Sequence, residues 1–138
     1  MALDSSKENY LRTMYGLYER LDHKEDGITS IRIAKELKIT RASVSGMLKK
    51  LAVKKYIKFK PYSKIFFTVK GLKEAKRVMH NHRVIEVFLK KILNYDLDKV
   101  HEEAHRLEHA FSEESIKRLD EFLNHPRRSP YGYDIPHR

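Results

Sequence analysis

Apolar residues recur at helical spacing through the first part of the chain and predict two helices there. The first is expected to run from a cap at Ser5 or Ser6 to about Leu21. Its apolar face consists of Tyr10, Leu11, Met14, Leu17, Tyr18 and Leu21. The second is the short segment SIRIAKEL, whose inward positions are Ile31, Ala34 and Leu37.

A third helix is predicted within TRASVSGMLKKLAVKKY, after a tight turn at Lys38 to Thr40. Its inward positions are Val44, Met47, Leu48 and Leu51. Its outward positions are Arg41, Ser43, Ser45, Lys49 and Lys50. A short helix, a tight turn and a helix that begins with small polar residues are typical of a helix-turn-helix, in which the last helix approaches base edges.

Two short runs of β-branched and aromatic residues, IKFK and KIFFTV, predict a hairpin that turns at Pro61 to Ser63. A basic hairpin directly after a recognition helix is a wing. Lys58, Lys60 and Lys64 would meet DNA phosphates there. A helical hairpin that carries an unrelated β-ribbon is the alternative interpretation.

The second half of the chain is again helical in its apolar spacing. We expect a helix from Gly71 to about Leu93, a helix from about Asp98 to Ala110, and a last helix capped by Ser112. The tail HPRRSPYGYDIPHR is rich in Pro, Gly and Arg, so we expect irregular structure or disorder there.

The expected fold class is mostly α with a small β-wing, with a winged helix-turn-helix domain at residues 1–71 and a helical domain at 72–138. The formal net charge is +10, and from Leu37 through Lys73 there are eleven Lys or Arg residues and no Asp or Glu. Such a stretch suits a polyanion such as nucleic acid. A lysine-rich surface of no specific purpose is the alternative.

Several classes of protein are excluded by what the sequence lacks. The chain has no Cys, which rules out a disulfide scaffold, a thiolate zinc finger and a cysteine nucleophile. No apolar run approaches the roughly 18 residues that a membrane span needs. The opening MALDSSKENY lacks the basic start and apolar stretch of a signal peptide, so we expect a cytoplasmic protein with no membrane partner.

Histidines and carboxylates cluster in the second half. At about 100° per residue, one arc of the helix VHEEAHRLEHAF carries His101, His105, Glu108 and His109. On the preceding helix His82 and Glu86 are spaced i, i+4, so antiparallel packing could bring both sets together. Imidazoles with carboxylates and no sulfur favour Fe(II), Mn(II), Co(II), Ni(II) or Zn(II). Purely structural histidines are the alternative.

The segment from His101 to His105 also matches H-E-x-x-H, the helix motif of zinc metallopeptidases. Both histidines would then be ligands, Glu102 the general base and Glu121 a downstream ligand. However, Glu102 is predicted to face solvent, and half of the chain already predicts a DNA-binding module. We therefore expect no enzyme, and keep the peptidase as an alternative.

Five segments together resemble the DtxR and MntR family of metal-dependent transcriptional repressors, particularly its diphtheria-toxin-repressor and iron-dependent-repressor branch. These segments cover nearly the whole chain: ENYLRTMYGLYE, SIRIAKELKITRASVSGMLKKL, HNHRVIE, DKVHEEAHRLEHAFSEE and RSPYGYDIP. The resemblance implies a winged-helix domain, a helical dimerisation domain and two adjacent metal sites.

The resemblance also implies which residues hold metal. The primary site would comprise Asn9, His105, Glu108 and His109, and the ancillary site His82, Glu86 and His101. The family's iron branch usually has Met in place of Asn9 and Cys in place of His105, whereas its manganese branch has carboxylates at both positions. Nitrogen and oxygen ligands in place of sulfur make the site harder.

Other positions depart from the family pattern as well. Arg12 stands where the manganese branch has Glu, which argues against that branch's two-metal arrangement. On the recognition helix, Gly46 replaces a Gln at a base-contacting position, so the operator should differ. The sequence is expected to be a short form without the SH3-like domain that completes the ancillary site in longer members.

These patterns and the resemblance predict a metal(II)-activated repressor that controls metal-ion homeostasis and binds palindromic operator DNA as a homodimer. Fe(II) is the favoured ion and Mn(II) the alternative. The other functions kept open are a zinc metallopeptidase-like protein and a metal-independent winged-helix DNA-binding protein. The residues expected at the DNA are Thr40, Arg41, Ala42, Ser43, Ser45, Gly46, Lys49, Lys50, Lys58, Lys60 and Lys64.

Overall fold

The computed structural model describes residues 3–60 and 64–136, which belong to two compact units, 1–76 and 77–138. The helices are α1 (Ser5–Glu19), α2 (Ser30–Leu37), α3 (Arg41–Val53), α4 (Val69–Lys91), α5 (Leu97–Glu108) and α6 (Glu113–Phe122). The strands are β1 (Ile28–Thr29), β2 (Ile57–Lys60) and β3 (Lys64–Phe67). A short 3-10 helix spans Lys24–Asp26. These elements confirm the predicted fold class of mostly α with a small β-wing.

The cap of α1 differs from the prediction. Asp4, rather than Ser5 or Ser6, is the N-cap, and its carboxylate accepts the backbone N–H of Lys7 at 2.8 Å. The same carboxylate pairs with the Lys7 ammonium at 2.7 Å. A charged acceptor also interacts favourably with the positive end of the helix dipole, so Asp4 is the stronger cap.

The predicted helix-turn-helix is formed by α2 and α3. Lys38 ends α2 in the left-handed conformation with φ 57°, and the N–H of Ile39 donates to the carbonyl of Ala34 at 3.1 Å. This backbone pattern closes the end of α2 and turns the chain sharply. The Thr40 hydroxyl oxygen then accepts the N–H of Ser43 at 3.1 Å and caps α3.

The buried face of α2 also differs from the prediction. Ile31 was expected inward but is 55% exposed, whereas Ile33 is fully buried and Ala34 lies beside it in the core. An eight-residue helix has little more than two turns, and a spacing pattern over so short a window does not define the buried face. The inward side is therefore set by packing against the rest of the unit.

The wing is a three-stranded antiparallel sheet in the order β1-β3-β2. The pair β2 and β3 matches the predicted hairpin, with Ile57 opposite Phe67 and Lys60 opposite Lys64. The turn predicted at residues 61–63 lies outside the described residues. The strand β1, which pairs with β3 through Ile28↔Ile65, was not predicted because two residues carry no periodicity.

The second unit takes most of α4 together with α5 and α6. Its core is built from side chains that are fully buried: Ile85, Leu89, Val100, Ala104 and Ile116. These residues fix the relative rotation of the helices that carry the histidines. Residues 126–136 form an irregular, hydrogen-bonded loop with an isolated bridge between Arg128 and Asp134. Within the described part of the chain, no helix is both long and apolar enough to cross a membrane.

Candidate metal centre

The described residues contain two groups of three potential metal ligands. The first, here the His82 cluster, consists of His82, Glu86 and His101. The second, the His105 cluster, consists of His105, Glu108 and His109. The arc predicted on α5 is therefore divided, because His101 meets the residues of α4 while the other three ligands stay together. The division has the pattern that the family resemblance implied.

Three ligand atoms converge in the His82 cluster. His82 Nε2 lies 3.1 Å from Glu86 Oε2 and 3.2 Å from His101 Nδ1, and His101 Nδ1 lies 3.4 Å from Glu86 Oε2. The side chains of His82 and Glu86 are 3% and 4% exposed, whereas that of His101 is 60% exposed. The cluster is thus anchored in the helical unit and open to solvent on the His101 side.

The other ring nitrogen of His82, Nδ1, contacts a buried carboxylate. His82 Nδ1 lies 2.7 Å from Glu108 Oε2, and Glu108 is itself almost fully buried. When Nδ1–H donates to that carboxylate, Nε2 is left with a lone pair aimed at Glu86 and His101. Two imidazole nitrogens and a carboxylate oxygen that point together can be held by protons between them, or by one metal ion that accepts all three as ligands. The donor set therefore fits a divalent metal ion, with Glu108 as the supporting carboxylate.

Glu86 is ionised despite its burial. Burial alone raises the pKa of this carboxyl, but hydrogen bonds from His101 and His82 outweigh burial and lower the pKa to about 2. The site therefore contains a carboxylate at neutral pH.

The His105 cluster is organised around one oxygen atom. Glu108 Oε1 lies 3.2 Å from both His105 Nδ1 and His109 Nε2. The two imidazole rings meet edge to face, with centroids 5.9 Å apart. Because Glu108 also bonds to His82 through Oε2, this one carboxylate contacts both clusters.

Asn9 lies on α1 in the first unit, where its Oδ1 accepts a hydrogen bond from the Arg12 guanidinium at 2.8 Å. The amide oxygen that would serve as a ligand is therefore already a partner of a cation. The place of Asn9 in the primary metal site stays a prediction.

The arrangement required of a zinc metallopeptidase is not present among the described residues. His101 and His105 belong to different ligand groups rather than to one. Glu102, the required general base, has a side chain that is 77% exposed and pairs with Arg106 at 3.3 Å. Glu121, the required third ligand, is exposed on α6.

The residues predicted to contact DNA lie on the surface of the first unit. All are exposed except Lys64, which is half-buried in β3. Thr40 has a structural part as the cap of α3, and Lys60 stacks its ammonium on the Phe66 ring at 4.8 Å. No Asp or Glu stands between these two residues in the sequence.

One residue near the His82 cluster was missed by the sequence analysis. The hydroxyl of Tyr131 accepts the backbone N–H of His101 at 3.1 Å and donates to the carbonyl of Leu97. Burial raises the pKa of Tyr131, so the hydroxyl keeps its proton at neutral pH. The tail segment RSPYGYDIP contains this residue, but no spacing rule connects it to a helix 30 residues earlier.

A helix-turn-helix unit and a unit with histidine and carboxylate clusters in one chain define a metal-responsive DNA-binding protein. Comparison with protein families gives the same class. Residues 2–65 match the iron-dependent repressor N-terminal DNA-binding domain, and residues 68–137 match the iron-dependent repressor metal-binding and dimerisation domain. The chain belongs to the family of iron-dependent repressors, which are metal-dependent transcriptional regulators and not enzymes.

Two curated relatives illustrate the similarity. An uncharacterized HTH-type transcriptional regulator of Methanocaldococcus jannaschii is 36% identical over 121 residues, which cover 88% of this chain and 94% of the relative. The diphtheria toxin repressor of Corynebacterium glutamicum is 36% identical over 136 residues, which cover 97% of this chain and 57% of the relative. The chain therefore spans nearly all of the first relative and little more than half of the second.

Solved structures are similar over almost the whole chain. The structure of the manganese regulator SloR matches with a TM-score of 0.82 and 38% identity, covering 99% of this chain and 61% of that one. A manganese-dependent transcriptional repressor in complex with manganese matches with a TM-score of 0.85 and 28% identity, covering 95% and 58%. The neighbours thus include proteins named for iron and proteins named for manganese.

Proposed function

We propose that this protein is a metal(II)-activated transcriptional repressor that controls iron homeostasis and binds palindromic operators as a homodimer. The observation that carries the proposal is the convergence of His82 Nε2, Glu86 Oε2 and His101 Nδ1 within 3.1–3.4 Å. Such a donor set is suited to bind a divalent cation, and it lies in a chain that also contains a helix-turn-helix. The proposed metal-binding domain is residues 72–138 and the proposed DNA-binding domain residues 1–71.

Fe(II) is our favoured ion, with Mn(II) as the alternative. Both clusters offer only imidazole and carboxylate donors, and the chain has no Cys. Borderline divalent ions suit such donors, whereas Cu(I) prefers sulfur and Ca(II) prefers oxygen alone. The iron-dependent repressor names of the matched domains favour iron, and relatives named for manganese make Mn(II) the alternative.

In the metal-bound state, His82 and Glu86 from α4 and His101 from α5 would hold one ion, and His105, Glu108 and His109 would hold a second. A bound ion would supply positive charge between these donors. Metal binding would favour one arrangement of these ligand residues, because the ion has a higher affinity for that arrangement than for the others. The rarer the DNA-binding conformation is in the metal-free chain, the larger is the gain in DNA affinity that metal binding can produce.

Homodimer formation is supported by the match of residues 68–137 to a metal-binding and dimerisation domain. The helical unit also exposes large apolar side chains: Ile92, Leu93, Leu97 and Phe122. A two-fold dimer presents two recognition helices related by symmetry, and its operator is correspondingly palindromic.

The test is metal-dependent DNA binding. An operator is selected from random duplexes with Mn(II), and fluorescence anisotropy then measures binding at fixed salt with chelator, with Mn(II) and with anaerobic Fe(II). We expect the ion to tighten specific binding by about tenfold or more, equivalent to about 1.4 kcal/mol. His105→Ala should remove this response and leave nonspecific binding intact.

The matched control is His125→Ala, because His125 is exposed, pairs with Asp120 and lies outside both clusters. This variant should respond to metal as the wild type does. Equal operator affinity in chelator and in metal would contradict the proposal and indicate a metal-independent winged-helix protein with structural histidines.

A further inference from the structure

The loop at residues 126–136, here the C-terminal loop, is tightly folded. The N–H of Ser129 donates to the carbonyl of Tyr133 at 2.8 Å, and the Ser129 hydroxyl accepts the amides of Tyr131 and Tyr133. Gly132 takes the left-handed φ of +89° between them. Ser129 is buried, so the turn that presents Tyr131 is built around an internal polar anchor.

This loop is fastened to α4 at two further points. The buried Arg83 donates through Nη1 to the carbonyl of Asp134 at 2.6 Å, and its guanidinium stacks on the Tyr133 ring at 4.9 Å. One turn earlier, His80 Nδ1 contacts the carbonyl of Pro136 at 2.8 Å. The loop therefore has a defined position against the helix that carries His82 and Glu86.

From that position Tyr131 reaches the start of α5. Its hydroxyl bonds to the N–H of His101 and to the carbonyl of Leu97, the two groups that pair with each other in the first turn of a regular helix. The N-cap residue Asp96 makes no side-chain capping bond, so the first turn lacks the usual support at its start. The Tyr131 hydroxyl supplies support to this turn.

The metal ligand that depends on this support of the first turn is His101. The other ligands of its cluster are buried in α4, and His82 is also held by Glu108, whereas the His101 side chain is largely exposed. An exposed side chain keeps its rotamer freedom, so the ability of His101 Nδ1 to reach the other two ligands depends on the position of the His101 backbone. The contact that fixes the His101 backbone from outside the helix is the Tyr131 hydroxyl.

We propose that Tyr131 is a positioning residue for metal binding. Its hydroxyl holds the first turn of α5 where His101 Nδ1 meets His82 Nε2 and Glu86 Oε2, and so raises the metal affinity of the His82 cluster alone. This inference rests on the proposed metal site. It assigns the C-terminal loop a part in metal binding, although the loop contributes none of the ligands.

The test compares Tyr131→Phe with Tyr133→Phe in the full chain. Both variants remove one hydroxyl from the same loop and keep the aromatic ring, but among the described contacts only the Tyr131 hydroxyl bonds to α5. Metal-free protein is titrated anaerobically with Co(II), whose visible absorption reports the geometry of each bound ion. His82→Ala and His105→Ala identify which absorption change belongs to which cluster.

We expect Tyr131→Phe to weaken Co(II) binding at the His82 cluster by about tenfold, the lower end of the effect of supporting partners on metal affinity, and to alter the absorption of that ion. In Tyr131→Phe, the His105 cluster should keep its wild-type Co(II) affinity, and the metal-free protein should keep its thermal unfolding midpoint. The Tyr133→Phe variant should stay close to wild type in all of these measurements. Unchanged Co(II) affinity and absorption in Tyr131→Phe would overturn the inference.

Two other results would also overturn it, and they differ from each other. Equal losses at both clusters together with a lower unfolding midpoint would show that the loop merely supports the fold. A wild-type chain that binds no ion sensitive to His82→Ala would remove the proposed site itself, and the inference with it.

Discussion

The two units of this protein carry their proposed functions in different ways. In the helical unit, six side chains converge on two small clusters, and Glu108 contacts both. In the DNA-binding unit, eleven predicted contact residues are spread along α3 and the wing, and nearly all are exposed. The first arrangement is centred on three buried side chains, His82, Glu86 and Glu108, whereas the second is dispersed over a surface.

This difference determines how each function should respond to substitution. Removing a buried, shared group alters every contact that it makes, because no solvent replaces the lost partner. Removing one exposed lysine alters one screened interaction among many. Single substitutions should therefore have large effects on metal binding and small effects on DNA binding.

The largest effect is expected from Glu108→Gln. The variant keeps the shape of the side chain but removes the charge that faces His82, His105 and His109. Metal affinity should fall by about 10- to 100-fold at both clusters, as measured by Mn(II) or Co(II) titration. Glu114→Gln is the control, because Glu114 is exposed and pairs only with Arg118 among the described contacts. An unaffected His82 cluster would show that Glu108 is not shared.

An intermediate effect is expected from Thr40→Ala. The variant loses the hydroxyl that caps α3, and the free energy of unfolding should fall by about 1 kcal/mol in urea denaturation. Thr40→Ser retains the capping oxygen and should stay close to wild type. Both variants should bind Mn(II) normally. Equal destabilisation by Ala and Ser would mean that the Thr40 methyl group, rather than the cap, stabilises the unit.

The smallest effect is expected from Lys58→Ala on the wing. Loss of one phosphate contact should lower DNA affinity about equally for specific and nonspecific duplexes. The slope of log affinity against log salt should become shallower by about 0.9. Lys117→Ala, an exposed lysine of α6 in the other unit, should leave that slope unchanged. A loss confined to the operator would instead assign Lys58 to base recognition.

Local features of the fold could be predicted from the sequence because their signals are local. The helix-turn-helix depends on apolar spacing and on the turn at Lys38 to Thr40, both within the continuous segment Ser30–Val53. The pairs His82 with Glu86 and His105 with Glu108 follow in the same way from i, i+4 and i, i+3 spacing. The short β1 strand and the cap by Asp4 escaped prediction, since neither has a periodic pattern.

Contacts between distant segments could not be derived from spacing. The residues of α5 share one arc, yet His101 joins the α4 ligands, and that choice depends on how the two helices pack. The family resemblance implied the division, whereas periodicity alone left it open. The contact of Tyr131 with His101 depends on the folding of an irregular loop, for which the sequence offers no repeating signal.

The central claim is that metal binding by the two clusters controls DNA binding. The most direct measurement is one Mn(II) titration of the wild-type chain with its selected operator, in which electron paramagnetic resonance reads free Mn(II) and anisotropy reads bound DNA in the same samples. The account predicts that DNA binding rises as Mn(II) is taken up, and that both transitions shift together in Glu108→Gln. Saturated DNA binding before any Mn(II) is taken up would contradict it.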